Sequence, residues 1–432
     1  MSAKERKLDL KKICTHKIAR EDSDFVGIRY DSENKQFYID FPLGYKNKLL
    51  PAKIDDFTDE SEKLLRADIL NLINILHKYG TNNQTNMAKE FSKKDNNLLP
   101  IFAYLYVIRD FLKNGYYKQK EIIYKKQQSG NINWNKTIKQ IDPIISNKNI
   151  VYLEYITRNN TVNENELITK IHKYCVYEAF ENIGCLLTSY IPPNPHIKLN
   201  KKLFSAILKE KIAKTFNDKD KLLFQNMLDI INFDSKEHDG NNFFYGTYEF
   251  HYVWEKLIDD YFGVTKTDEM YPIARWINTR QSKIEFIPDT IMIPNNKKTI
   301  FVLDAKYYKG GVNENLGSLP RAESIPKQLV YAKKIDKVFN IEKKLDYQIF
   351  NAFILPSDCY AVNETILEYV APVEVDWLFS DEEKVTYNHI QGIRLDIRTM
   401  MYKNTNDKES LFSELMTIIE HNTLKIMQMR AD

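Results

Sequence analysis

The sequence predicts a mixed α/β fold, in which a sheet is flanked by helices, preceded by an α+β N-terminal domain. Three observations predict it. The chain has 432 residues, 43% hydrophobic and 28% charged, which suits a globular protein of two or three domains. From residue 248 onward, helix-like and strand-like patterns alternate. Two short apolar runs, at 287–293 and 300–303, flank a polar turn, which is typical of paired strands.

The N-terminal part combines a few strands with helices. Alternating apolar residues and helical spacing of apolar residues distinguish the two types of element. The predicted strands are 25–30, 36–41 and 150–156, and the predicted helices are 61–78 and 99–112. A polar turn at 158–161 follows the last strand. We therefore expect an N-terminal domain over 1–160 and a second domain over 161–432.

The second domain begins with long helices and then turns to strands. Stripes of apolar residues at 3.6-residue spacing indicate the helices, and near-continuous apolar runs indicate buried strands. The predicted helices are 166–188, 202–215, 219–231, 248–262, 324–338 and 411–427. The predicted strands are 287–293, 300–303, 347–355 and 390–397.

Two acids and a lysine are expected to meet at one end of this sheet. Asp289 follows Pro288 in the first strand of the hairpin, and Asp304-Ala305-Lys306 ends the second. Side chains at i and i+2 of a strand project from one face, so Asp304 and Lys306 point the same way. Folding the chain at the polar turn brings Asp289 back beside Asp304.

This arrangement suits metal-assisted hydrolysis of a phosphodiester. Mg²⁺ prefers oxygen ligands and few carboxylates, so Asp289, Asp304 and the Ala305 carbonyl can hold Mg²⁺, or Mn²⁺ in its place. Such an ion polarises the phosphate and lowers the pKa of a bound water, while Lys306 orients or activates that water. The alternative is structural: Asp289 caps a strand, and Asp304 and Lys306 form a surface ion pair of little energetic value.

The spacing and order of these motifs resemble the PD-(D/E)xK nuclease superfamily, with Asp304 fifteen positions after Asp289. Many members add a glutamate from the preceding helix, and Glu255 matches that place. Glu285, on the Asp289 strand and four residues earlier, is the alternative. The resemblance implies that Glu255 is a further acidic metal ligand and a catalytic residue.

Members of the superfamily also carry a glutamine and a tyrosine on the helix after the D-x-K strand. Gln328 and Tyr331 match this pair, and the resemblance implies a catalytic role for Gln328. The spacing is one residue shorter than the QxxxY of the RecB-like branch. Gln328 and Tyr331 are as compatible with a structural role as with a functional one.

A narrower resemblance covers about residues 20–400. The DAKYY segment, the helix at 327–332 and the block GNINWNKTI at 130–138 look like the LlaJI group of restriction endonucleases. The block and the DAKY segment are also similar to the nuclease subunit of McrBC-type systems. In such proteins the N-terminal part serves DNA recognition or partner binding, which we expect of residues 1–160.

These resemblances imply a Mg²⁺-dependent, type II-like endonuclease of a prokaryotic restriction–modification system that protects against foreign DNA. Its substrate is double-stranded DNA, and two sites, as in a homodimer, are needed for a double-strand break. An AAA+ GTPase subunit and a cognate methyltransferase are the implied partners. Three alternatives stay open: an McrC-like subunit that cleaves only with its GTPase and stimulates it, a catalytically silent assembly protein, and a repair or recombination nuclease.

A basic segment with interleaved aromatic residues lies in the N-terminal part. Lysines can contact phosphates and aromatic rings can stack on bases, so the segment is a candidate DNA-binding surface. Its residues are Lys118, Lys120, Lys125, Lys126, Trp134 and Lys136. The alternative is a solvated face in which the aromatic residues serve packing.

Several function classes are excluded by the sequence. The net charge is only +3, so any nucleic-acid surface must be a local patch. No GxxxxGK(S/T) motif is present, so we do not expect ATP or GTP hydrolysis by this chain. The four cysteines lack metal-ligand spacing, and neither a signal peptide nor an apolar run long enough for a membrane span is found. A cytoplasmic protein is expected.

Overall fold

The computed structural model describes residues 14–18, 25–31, 36–51, 56–80, 100–146, 149–163, 166–233, 243–276, 283–295, 297–308, 319–375, 385–403 and 409–431. The chain forms two compact units. One is built on Leu99–Asp239, and the other joins Lys11–Leu98 to Gly240–Asp432. The second unit is therefore discontinuous in sequence, with the first inserted into it.

The elements of the described residues are numbered in chain order. The helices are α1 (Asp59–Gly80), α2 (Ile101–Asn114), α3 (Trp134–Gln140), α4 (Leu167–Ile183), α5 (Lys201–Lys214), α6 (Asp218–Asn232), α7 (Phe250–Phe262), α8 (Ser324–Asp336), α9 (Cys359–Asn363), α10 (Ile397–Tyr402) and α11 (Glu409–Ala431). The strands are β1 (Cys14–Ile18), β2 (Val26–Asp31), β3 (Gln36–Phe41), β4 (Gln119–Gln127), β5 (Ile144–Ser146), β6 (Asn149–Val151), β7 (Tyr155–Asn163), β8 (Phe243–Thr247), β9 (Ile273–Ala274), β10 (Ile284–Glu285), β11 (Thr290–Met292), β12 (Thr299–Ala305), β13 (Gln348–Ser357), β14 (Leu367–Pro372) and β15 (Ile390–Asp396).

A five-stranded mixed sheet forms the centre of the discontinuous unit, in the order β11-β12-β13-β15-β14. The three inner strands run parallel, and β11 and β14 run antiparallel to them at the two edges. Every residue of β12 is buried, as expected for a parallel strand covered on both faces. The mixed sheet flanked by helices that the sequence predicts is thus confirmed.

Helices cover this sheet with apolar faces. On α8, Tyr331, Ala332 and Ile335 pack in one core cluster with Ile300 and Val302 of β12. On α7, Trp254 is completely buried, and its indole N–H donates to the Ile354 carbonyl of β13 over 3.2 Å. Burying a tryptophan of this size contributes about 2–3 kcal/mol and fixes how α7 lies on the sheet.

A second sheet in the same unit joins distant parts of the chain, in the order β1-β3-β2-β8. The strands predicted at 25–30 and 36–41 are confirmed as β2 and β3, which pair antiparallel, and β8 pairs antiparallel with β2. Gly27 has a φ of 152°, and a Cβ there would lie 2.2 Å from the Tyr245 carbonyl oxygen. The close approach of β2 and β8 therefore requires glycine at this position.

The unit built on Leu99–Asp239 combines a helical part with small β-structures. Helices α2, α4 and α6 pack against one another. Strands β4 and β7 pair antiparallel over nine residues each, and β5 and β6 form a separate two-stranded ribbon. Cys175 of α4 is buried and free.

The structure differs from the sequence prediction around residue 160. The single strand predicted at 150–156 is wrong, because β6 ends at Val151 and β7 begins at Tyr155. The polar turn predicted at 158–161 is also wrong, since those residues pair with β4. The division into 1–160 and 161–432 would cut through this hairpin, and the structure divides the chain elsewhere.

None of the helices in the described ranges is both long enough and apolar enough to cross a membrane.

Candidate active site

The β11–β12 register brings Asp289 and Asp304 together. Thr290 pairs with Leu303, so Asp289 and Asp304 are the next opposed positions beyond the last pair. Asp289 Oδ2 accepts a hydrogen bond from the Ala305 N–H at 3.0 Å. The two carboxyl groups are close enough for the charge of Asp304 to act on Asp289. We call Asp289 and Asp304 the acid pair.

Lys306 completes the predicted group. Its Nζ lies 2.8 Å from Asp304 Oδ2, and only 22% of its side chain is exposed. Burial by itself lowers the pKa of Lys306, but the charge of Asp304 and the hydrogen bond to it outweigh burial and raise the pKa. Lys306 is therefore a firmly charged ammonium in the absence of another cation.

The acid pair carries more negative charge than its surroundings compensate. Part of Asp289 reaches the surface, but its carboxyl group is largely enclosed by protein. Burial and then the charge of Asp304 raise the pKa of Asp289 well above its usual range, and Lys306 offsets only part of the effect. A site that raises an aspartate pKa in this way is suited to bind an additional cation.

Glu255 lies within α7, and its carboxyl interacts electrostatically with both members of the acid pair. The buried Trp254 beside it fixes the helix on β13. Burial, with Asp304 adding to it and Lys306 opposing it, raises the pKa of Glu255 to about 7. Glu285, the alternative considered from sequence, forms an ion pair with Lys283 at 2.6 Å. Of the two glutamates, Glu255 is the one whose charge acts on Asp289.

The oxygen atoms available here fit a hard divalent cation that takes only a few of its ligands from the protein. In the part of the chain that the structure describes, no group of three or more His, Cys, Asp or Glu side chains is close enough to hold a metal ion. The residues present are the acid pair and the Ala305 carbonyl, with Glu255 further out. Mg²⁺ is usually bound through one or two carboxylates and keeps several waters, so two carboxylates suffice.

Gln328 is fully buried beneath β12 and outside hydrogen-bonding contact with the acid pair. Its Nε2 donates to the Val302 carbonyl at 2.6 Å, and Asn351 Oδ1 lies 3.3 Å away. Its hydrogen bonds to described residues thus hold α8 on the sheet. Tyr331 lies closer to the chemistry, since burial and then the charges of Asp304 and Asp289 raise its pKa.

The basic segment belongs to the other unit. Lys118, Lys125 and Lys126 on and before β4 are exposed, while the side chain of Lys120 lies outside the described residues. Lys126 pairs with Glu154 at 2.7 Å.

Two residues of this segment lie on α3. Trp134 is 53% exposed and packs edge-on against Tyr155. The ammonium of Lys136 lies 3.5 Å from the centre of the Tyr124 ring. The segment is therefore a surface of β4 and α3, distinct from the strands that carry the acids.

Lys266 is a residue that the sequence patterns did not reveal. Its Nζ donates to the backbone carbonyl of Asp289 at 2.5 Å and to Asp259 Oδ1 of α7 at 2.8 Å. It thereby links the helix of Glu255 to the strand of Asp289. A lysine in a loop gives no periodic signal, so only the tertiary structure shows this contact.

Comparisons with known proteins show a family match over most of the chain. The profile of the family described as LlaJI restriction endonuclease matches residues 44–391. The chain is 29% identical over 330 residues to the type II restriction enzyme BsuMI component YdjA of Bacillus subtilis strain 168, covering 72% of this chain and 69% of that protein. A chain in the cryo-EM structure of the Thermococcus gammatolerans McrBC complex is 14% identical, with 55% of this chain and 64% of that chain covered. The TM-score of 0.20 is too low to support an argument about the fold.

Proposed function

Since the chain belongs to the LlaJI restriction endonuclease family, we propose that it is a Mg²⁺-dependent endonuclease of a restriction–modification system, with Mn²⁺ as a substitute ion. Its reaction is hydrolysis of DNA phosphodiester bonds, giving double-strand breaks. The observation that carries the proposal is the acid pair with Lys306 at the end of β12. We assign this centre to the PD-(D/E)xK type, because motif order, strand register and lysine contact agree with it.

The acid pair and the Ala305 carbonyl would hold the cation. The ion would polarise the scissile phosphate and acidify a water molecule bound to it. Lys306 keeps its positive charge next to the reacting phosphate and stabilises the negative charge that develops on it. Glu255, whose carboxyl interacts with the acid pair, would accept the proton of the attacking water, and solvent would protonate the leaving oxygen as its bond to phosphorus breaks.

The experiment is cleavage of a closed circular plasmid by the purified chain in Mg²⁺. Asp304→Asn keeps the shape of the side chain and removes its charge, and we expect cleavage to fall by about 100-fold or more. Asp346→Asn is the matched control, because Asp346 is exposed on a loop of the same unit. Unchanged cleavage by the Asp304 variant would overturn the catalytic assignment, and degradation only from DNA ends would favour a repair nuclease.

A second candidate is an McrC-like subunit that cleaves only with an AAA+ GTPase and stimulates it. The β5–β6 ribbon favours this form. Ile144 faces Val151 and Ile145 faces Ile150 across the two strands, and all four side chains are 46–75% exposed. A two-stranded ribbon with apolar side chains on both faces is typical of a protein-binding element.

Partner dependence is tested by repeating the plasmid assay with the products of neighbouring genes. The Bacillus relative is named a component of a restriction enzyme, which supports further subunits here. A cognate methyltransferase among the neighbouring genes is part of the same proposal. Cleavage by the chain alone, as a homodimer with two sites, supports an endonuclease that needs no GTPase subunit. Cleavage only after addition of a GTPase subunit supports the McrC-like subunit.

A further inference from the structure

One face of α8 extends from a cavity at the start of the helix toward the acid pair. Ser324, Lys327, Tyr331 and Lys334 follow at spacings of three, four and three residues, so they share one side of the helix. Tyr331 in the middle of this face interacts electrostatically with Asp304. Gln328, Tyr331, Ala332 and Ile335 are buried against the sheet, so Tyr331 forms the border between the sheet-facing side of the helix and the more exposed side that carries the two lysines. The face is thus anchored beside the candidate active site.

This face belongs to a locally basic segment. Residues 321–337 contain five Lys or Arg and two Asp or Glu, a formal charge of +3, which equals the net charge of the whole chain. Lys327 is exposed and Lys334 is partly exposed. Among the described residues neither of them has an ion-pair partner. Both charges are therefore available to an anionic ligand.

A cavity of about 700 Å³ lies at the start of α8. Tyr308, two residues after Lys306, lines it together with Arg321 and Ser324. The Tyr308 side chain is 42% exposed. Arg321 has no ion pair with any described residue, although Glu323 also lines the cavity. An aromatic ring and a guanidinium that pairs with no acid of the described residues can receive a base and a phosphate.

The spacing of the two lysines suits a nucleic-acid strand. Lys334 lies seven residues after Lys327 along the helix, which corresponds to a rise of about 10.5 Å. Phosphates of one strand of B-DNA rise by about 3.4 Å each along the axis, so the lysines span about three of them. Lysine at each end and Tyr331 between them would let a strand pass over the acids.

We infer that this face of α8, with Arg321 in the cavity at its start, is the surface that holds the phosphate backbone of the DNA strand to be cleaved. The inference rests on the proposed nuclease function and names the contact surface for its substrate. Basic helix faces are often only solvated, and α5 provides that comparison within this chain. Lys202 and Lys209 of α5 are also exposed and also seven residues apart.

The test is the salt dependence of DNA binding by the full-length chain. Binding of a fluorescent duplex is followed by anisotropy in EDTA at several salt concentrations, for the wild type, Lys327→Gln/Lys334→Gln and the control Lys202→Gln/Lys209→Gln. Each lost phosphate contact lowers the slope of log K against log[salt] by about 0.9. We expect the α8 variant to lose about 1.8 units of slope and about tenfold or more in affinity at 0.15 M salt.

The control variant should keep the wild-type slope, and thermal unfolding should show that both variants are folded. An α8 variant that binds like the wild type, or a control that loses as much as the α8 variant, overturns the inference. Plasmid cleavage by the wild type separates this failure from failure of the proposed function. A wild type that neither cleaves nor binds duplex DNA overturns both.

Discussion

Two groups of buried acids in the same unit differ in how their charge is compensated. Asp68 of α1 is completely buried and accepts hydrogen bonds from Asn47, Arg398 and Tyr402, at 2.9, 2.9 and 2.6 Å. The acid pair has the Ala305 N–H and one ammonium, that of Lys306.

The difference separates a structural acid from a functional one. A buried carboxylate with a guanidinium and two further donors is satisfied by the protein itself. Two adjacent carboxyl groups with one lysine remain short of positive charge, which raises the pKa of Asp289 well above its usual range through burial and then Asp304. Only the second group gains by binding a further cation.

The largest expected effect is at the structural acid. Asp68→Asn leaves Arg398 and its neighbours without the buried negative charge, which we expect to lower the free energy of unfolding by about 3 kcal/mol. Urea unfolding measures the change. Asp59→Asn, at an exposed position in the first turn of the same helix, should cost below about 1 kcal/mol. If the two variants lost similar stability, the buried carboxylate of Asp68 would not stabilise the fold more than an exposed aspartate does.

The two groups also differ in how far the sequence predicts them. Asp289, Asp304 and Lys306 follow from strand alternation and one short turn, because the hairpin involves only neighbouring segments. Asp68 and Arg398 are 330 residues apart and carry no motif. Their contact depends on tertiary packing, which no local pattern encodes.

The division of the chain was missed for a similar physical reason. The β4–β7 pair consists largely of polar residues, with Lys125 opposite Thr157, so it lacks the apolar alternation by which strands are recognised. The discontinuous unit is joined by the pairing of β2 with β8, over more than 200 residues of sequence. By contrast, the helices of more than ten residues and the inner strands of the main sheet are periodic or continuously apolar, and the sequence predicts them to within a few residues. The short helices α3, α9 and α10 are not among the predicted elements.

A smaller effect is expected at Glu255, with the opposite sign. Its pKa is raised from an ordinary 4.5 to about 7, by burial first, so its ionisation is less favourable in the folded state. The stability associated with the protonated form is complete below about pH 4.5 and is lost as the pH rises through 7. Glu255→Gln removes this loss, and because the carboxyl is partly exposed we expect a gain of about 1–2 kcal/mol at pH 8 in EDTA.

The measurement is urea unfolding of wild type and Glu255→Gln at pH 5 and pH 8. The advantage of the variant should grow between the two values. Glu285→Gln is the control, because Glu285 is paired with Lys283 and its removal should bring no such gain. A pH-independent difference would show that Glu255 is not destabilised by its surroundings, and the comparison with Asp68 would then rest on the acid pair alone.

The smallest effect is expected at Lys266, which acts on the acid pair through the backbone. Its ammonium holds the Asp289 carbonyl and Asp259, and only 16% of its side chain is exposed. Lys256 also faces Asp259, but at 4.0 Å and with half of its side chain in solvent, so it is a matched control. Lys266→Met should slow DNA cleavage about fivefold, equivalent to about 1 kcal/mol, through a less rigidly held Asp289.

A positioning role predicts more than a lower rate. The KM for DNA should stay unchanged while kcat falls, since Lys266 does not lie on the face of α8 that holds the strand. The Mg²⁺ concentration needed for half-maximal cleavage should rise, and Lys266→Arg should restore part of the rate, because arginine can donate to the same carbonyl. Lys256→Met should change all three quantities less than Lys266→Met does, because Lys256 is exposed and acts only weakly on Asp259 and Glu255. A loss as large as that of Lys266→Met would trace the effect to the charge near Asp259 and not to the carbonyl of Asp289.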